Sequence, residues 1–103
     1  MDEITINLPG TDLASRNSAA TVRYNVVSAV SSGNVIAVDL SAIVSVSYSY
    51  ADELFGVLAA IQGWEWFIKN VRLVGAREPV LRVIAEVISR RLKETGQPIQ
   101  RRA

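Results

Sequence analysis

Val35-Ile36-Ala37-Val38, an apolar run framed by Gly33-Asn34 and Asp39, does most to limit what this chain can fold into. It is rich in β-branched residues and too short for a buried helix, so it reads as a strand covered on both faces, the kind found in parallel sheets. A parallel neighbour needs a crossover, and helices must therefore lie between strands. The rest of the sequence supplies them. Ile4, Ile6 and Leu8 alternate with Thr5 and Asn7 before Pro9-Gly10, which predicts a strand over 3–8. Val71, Leu73 and Val74, ended by Gly75, predict another. Ala19, Val22, Val26, Ala29 and Val30 share one helical face, with Asn17 or Ser18 as N-cap and Gly33 as the stop. Leu54, Val57, Leu58 and Ile61 mark a second helix, capped by Ser49 and ended near Gly63. Pro79 opens a third helix, whose inward stripe is Val80, Leu81, Ile84, Val87, Ile88 and Leu92. Before the second helix, Val44, Val46, Tyr48 and Tyr50 alternate with Ser45, Ser47 and Ser49 as a strand with a serine face would. Trp64, Trp66 and Phe67 read as an aromatic connector. The order is β-α-β-α-β-α, an α/β class with a mostly parallel sheet covered by helices. Periodicity leaves open whether one face is covered or both.

The chain has 103 residues, half of them apolar, and a mean hydropathy of +0.23. That suits one domain over 1–95, with a flexible tail over 96–103. With no Cys and no His, the sequence excludes disulfides, thiolate or imidazole catalysis and Cys/His zinc sites. Its apolar runs fall short of a membrane span, and the opening Met1-Asp2-Glu3 is acidic where a signal peptide is basic, so a cytoplasmic protein without membrane contact is expected. Neither a dinucleotide-binding glycine motif nor a phosphate-binding loop occurs, and no cofactor or metal is expected. The net charge of +1 does not suggest a nucleic-acid binder, yet it divides into −5 over 1–68 and +6 over 69–103. The basic end reads either as a phosphate-facing surface or as a solvated helix whose Arg82, Glu86, Arg90 and Glu94 alternate in sign.

Chemistry is left to carboxylates, hydroxyls and cations. Asp52 and Glu53 are adjacent on a helix, where neighbours diverge by about 100 degrees and do not converge on one proton or metal. Asp39 ends a strand, the place where ligands of open α/β sheets bind, and Arg72, Arg77 and Arg91 could complete a small-ligand or nucleotide site there. Ser45, Ser47 and Ser49 have no His, and no Lys within 1–68, to activate them. Ser49 could instead cap the second helix or carry a phosphate at its N-terminus. With Leu54, Leu58 and Ile61 turned inward, the opposite face is Asp52, Gly56, Ala59, Ala60 and Gly63. That face is nearly bare of side chains, and Gly56 costs the helix about 1 kcal/mol unless something approaches closely. A partner docking against the backbone would account for it.

Val38-Asp39-Leu40-Ser41-Ala42-Ile43, followed by Ser47-Tyr48-Ser49-Tyr50-Ala51-Asp52-Glu53-Leu54-Phe55-Gly56, resembles the STAS-like family of unknown function. This family is related to the STAS domains of anti-sigma factor antagonists and sulfate transporters, and the likeness extends over about residues 18–95. It implies a non-enzymatic regulatory module in bacterial signalling, whose partner is a histidine-kinase-like ATPase or an anti-sigma-type protein. In similar antagonists Asp-Ser-Ser-Gly precedes the second helix, and its first serine is phosphorylated. Here those positions are Ser47, Tyr48, Ser49 and Tyr50, which makes Ser49 the candidate phosphoacceptor. The implied partner surface comprises these four residues with Asp52, Glu53, Gly56, Ala59, Ala60 and Gly63. Self-association stays open.

Overall fold

The computed structural model describes residues 2–96. Three parallel strands form the sheet, β1 (Asp2–Asn7), β3 (Asn34–Asp39) and β5 (Val71–Val74), with β3 in the middle. The chain is an α/β domain with a mostly parallel sheet flanked by helices, as the alternation of periods predicts. Ile6 pairs with Val38 and Val38 with Leu73, so these side chains share the core face. On the other face Arg72 reaches beside Ala37 to pair with Glu3 at 3.0 Å. Ile36, Ala37 and Val38 are all buried, which is what their apolar run requires.

Helix α1 (Arg16–Ser31) lies on β3, and its N-cap is Ser15, whose Oγ accepts from the Ser18 amide at 3.2 Å, rather than Asn17 or Ser18. A minimal parallel pair, β2 (Asp12–Leu13) with β4 (Ser45–Val46), ties the loop after β1 to the loop after β3. The strand read through Tyr50 ends at Val46. Ser47 caps a helix there, and the alternation of Val44, Val46, Tyr48 and Tyr50 conceals the spacing of Tyr50, Ala51 and Leu54, all buried toward the core.

The central helix has three parts, α2 (Tyr48–Ala51), a π-helical turn (Asp52–Gly56) and α3 (Val57–Gln62). Gly63, with φ of 99°, ends it. The aromatic connector is itself helical, α4 (Trp64–Asn70), with the Trp64 and Phe67 rings stacked at 5.7 Å. Helix α5 (Glu78–Glu94) begins with Pro in its first turn, as predicted. The central helix runs between α1 and α5, so both of its flanks are covered. Ile61, expected inward, is 72% exposed, and Leu81 is 45% exposed. The tail expected to be flexible lies, beyond Gly96, outside the described residues. Among the described residues no helix is long and apolar enough to cross a membrane.

Candidate functional site

The residues singled out on the central helix fall into two groups, one engaged inside the fold and one presented at its surface. The sparse face belongs to the first. Gly56 and Ala59 are buried and Ala60 and Gly63 partly so, because α5 packs against this flank; it does not face outward. A Cβ added at Gly56 would sit 2.5 Å from Asp52 Oδ1 and 3.1 Å from Arg91 Cγ. The close neighbour that the glycine implied is therefore an ion pair of the same chain.

Asp52 and Glu53 take different main partners, although Arg16 Nη1 lies within ion-pair reach of both, 3.8 Å from Asp52 and 2.8 Å from Glu53. Arg91 of α5 grips Asp52 with two bonds, Nε to Oδ1 at 2.9 Å and Nη2 to Oδ2 at 2.7 Å. Glu53 turns to α1, accepting from Arg16 at 2.8 Å and Arg23 at 2.6 Å. Both carboxyls are held below their ordinary range, Asp52 by the Arg91 hydrogen bonds and Glu53 first by Arg23 and then by Arg16. The π turn explains why Arg23 comes so close. Val57 donates its amide to Asp52 O, five residues back, and the Glu53 carbonyl that an α-helix would have given it accepts from Arg23 Nη1 instead. The acids and arginines thus clamp α1, the π turn and α5 together.

The ligand set proposed from the sequence does not assemble. Arg72 is spent on Glu3, Arg91 on Asp52, and Arg77 donates to the Ile43 carbonyl at 3.0 Å. Asp39 accepts from the Ser41 amide at 2.9 Å, and the Ser41 side chain and amide lower its pKa. It caps the turn that leaves β3. Among the described residues no three acidic side chains gather as a metal would require.

The second group surrounds the start of the central helix. Ser47 Oγ accepts from the Tyr50 amide at 3.0 Å, while its own amide donates to Leu13 O at 2.8 Å. Ser47, not Ser49, is the N-cap. Ser45 donates to Asp12 Oδ1 at 2.6 Å, a partner 33 positions away that the sequence pattern did not reveal. Ser49 lies exposed in the first turn. Tyr50 is buried, which raises its pKa against the lowering influence of nearby Ser18, and among the described residues no group meets hydrogen-bond geometry with its hydroxyl.

Tyr48 behaves differently. It is 50% exposed and donates to Glu86 Oε1 on α5 at 2.8 Å, a bond that fixes the ring across the surface and raises the phenol's pKa. Beside it Val44 is 55% exposed. Val44, Val46, Pro79, Val80 and Val83 line a shallow groove of about 130 Å³ between β4 and the start of α5. Tyr48 opens α2, and Val44 lies in the loop just before β4 with its amide donating to Thr11 O at 2.8 Å; both side chains are large, apolar and exposed, an arrangement suited to contact rather than to catalysis. Comparison of the chain with family models, curated proteins and solved structures returns no match.

Proposed function

We propose that this chain is a non-enzymatic, STAS-like interaction module that docks a protein partner on the surface formed by Val44, Tyr48 and the adjoining groove. The partner class, a histidine-kinase-like ATPase or an anti-sigma-type regulator, rests on the resemblance of residues 38–56. The observation that carries the docking reading is the exposed pair Val44 and Tyr48, the latter pinned by Glu86 over α5. An aromatic anchor already held in one rotamer loses little entropy on binding. The surface overlaps the sequence-based one at Ser47, Tyr48 and Ser49 but leaves out Tyr50, Gly56 and Ala59, which are buried.

Ser49 is the proposed phosphoacceptor. It is exposed in the first turn of the helix, whereas Ser45 and Ser47 are engaged with Asp12 and the Tyr50 amide. A phosphate there would face the helix N-terminus, which favours anions, and would change the charge of the docking surface by nearly two units.

Affinity capture from the native cell, with the wild type beside Val44→Glu and Tyr48→Ala, tests the reading. One protein of the stated class, retained by the wild type and lost with both variants while thermal melting is unchanged, is the expected result. Equal capture by all three, or turnover by the purified chain that Asp39→Ala abolishes without unfolding it, would remove the proposal. Phosphosite mapping that found Tyr48 modified and Ser49 unmodified would reassign the acceptor.

A further inference from the structure

The side of α5 away from the docking surface carries an unfilled apolar groove of about 330 Å³. Trp64, stacked on Phe67, forms one wall, Leu73 lies below, and Leu81, Ala85 and Leu92 form the α5 side. Leu81 stands at its mouth, 45% exposed. The apolar stripe of α5 is therefore wider than the fold covers, and what continues it outward decides what could cover it.

Glu78, Arg82, Ala85, Ser89 and Lys93 follow one another at spacings of four, three, four and four, so they share one stripe along this margin. All are exposed except Ser89, which is half-buried. The stripe is acidic at its first residue, basic at its last and small near the middle. Its existing pairing is weak: Glu78 meets Arg82 at 3.5 Å with side chains 83% and 72% exposed. Lys93 makes no ion pair with the described residues. Laid antiparallel on a copy of itself and centred between Ala85 and Glu86, the stripe sets Glu78 opposite Lys93 twice over. The small Ala85 at the crossing allows the helices to approach closely. Leu81 of each copy then lies toward the other's Ser89 and Leu92, at the open mouth of the groove.

We propose that the chain self-associates as a twofold dimer, α5 against α5 in antiparallel sense, with each copy closing the other's α4–α5 groove. Val44, Tyr48 and Val83 lie around the opposite flank of α5, so the dimer leaves both docking surfaces free, and it stands or falls apart from the docking proposal.

Sedimentation equilibrium from about 1 µM to about 1 mM, the span of weak and moderate interfaces, tests this. A reversible monomer–dimer equilibrium that weakens with salt is expected. Lys93→Glu, which turns two attractions into repulsions, should raise the dissociation constant at least about tenfold, and Ala85→Arg should leave only monomer. Glu78→Lys combined with Lys93→Glu restores the pairs with reversed sign and should return the constant to within about threefold of wild type. These positions are exposed, so helical circular dichroism should hold in every variant, with melting lowered only slightly where Glu78 or Lys93, each matched to its helix end, is reversed. A monomer at all concentrations, a dimer indifferent to Lys93→Glu and Ala85→Arg, or a charge swap that fails to restore association would overturn the assignment. A monomer whose groove takes up a small apolar probe such as laurate, with Leu81→Asp abolishing uptake, would make it a ligand groove instead.

Discussion

A methyl group added at Gly56 would press on Asp52 Oδ1 at 2.5 Å and Arg91 Cγ at 3.1 Å, so this residue decides between two views of the central helix. On an outward face Gly56→Ala would stabilise by about 1 kcal/mol. In the packing described it should destabilise by about 1 to 2 kcal/mol, since the added carbon must displace the Asp52–Arg91 pair. In an Asp52→Ala background that penalty should largely vanish. Urea denaturation of the four proteins of this cycle gives the sign directly. The same acids set a pH dependence. The carboxyls of Asp52 and Glu53 are held below their ordinary values by Arg91, Arg23 and Arg16, so the folded state binds fewer protons than the unfolded chain near pH 4. Their contribution is present above the unfolded values of about 4 and is lost as pH falls through the lower, folded ones. Stability measured between neutral pH and about pH 3 should fall on the acid side, and less steeply in an Asp52→Asn, Glu53→Gln variant.

At the level of elements, the N-cap at residue 47 is the sharpest difference between pattern and structure. Ser47→Ala should cost about 1 kcal/mol through loss of the bond to the Tyr50 amide, whereas Ser49→Ala, at an exposed helical position, should change stability by less than about 0.5 kcal/mol. Thermal melts of the two variants check this, and equal losses would return the helix start to Ser49. The error has a physical source: Val44, Val46, Tyr48 and Tyr50 satisfy a period of two, and only the burial of Tyr50 with Leu54 shows that a period near four has begun. The helical nature of Trp64–Asn70 was hidden because it is only two turns long, and Trp64, Trp66, Phe67 and Ile68 crowd it with aromatic and apolar residues although Glu65 and Lys69 mark an exposed face. The π turn has no periodicity of its own. Its trace in the sequence was Gly56 together with two adjacent acids and the arginines of neighbouring helices, but which of them would meet is a tertiary fact.

For the whole molecule, the parallel sheet and the helices between strands were legible because the apolar run of β3, buried at Ile36, Ala37 and Val38, fixes the class of sheet it can join, whereas its place between β1 and β5 was not. The candidate site was legible only in its location. Ser47, Tyr48 and Ser49 do lie at or near the surface where the central helix begins, but Tyr50 is buried, Val44, Glu86 and the groove beside Pro79 and Val83 come from segments far apart in sequence, and the sparse face turned out to be interior packing against α5. The central claim is that partners dock at Val44 and Tyr48 on a module without turnover. Its most direct test is photo-crosslinking in the native cell, with a benzophenone side chain placed at Val44 or Tyr48 and, as a control, at the exposed Thr5 of β1. The account predicts one shared adduct from positions 44 and 48, formed with a histidine-kinase-like ATPase or an anti-sigma-type protein, removed by Val83→Glu and absent from position 5. Adducts from position 5 with none from 44 or 48 would contradict it.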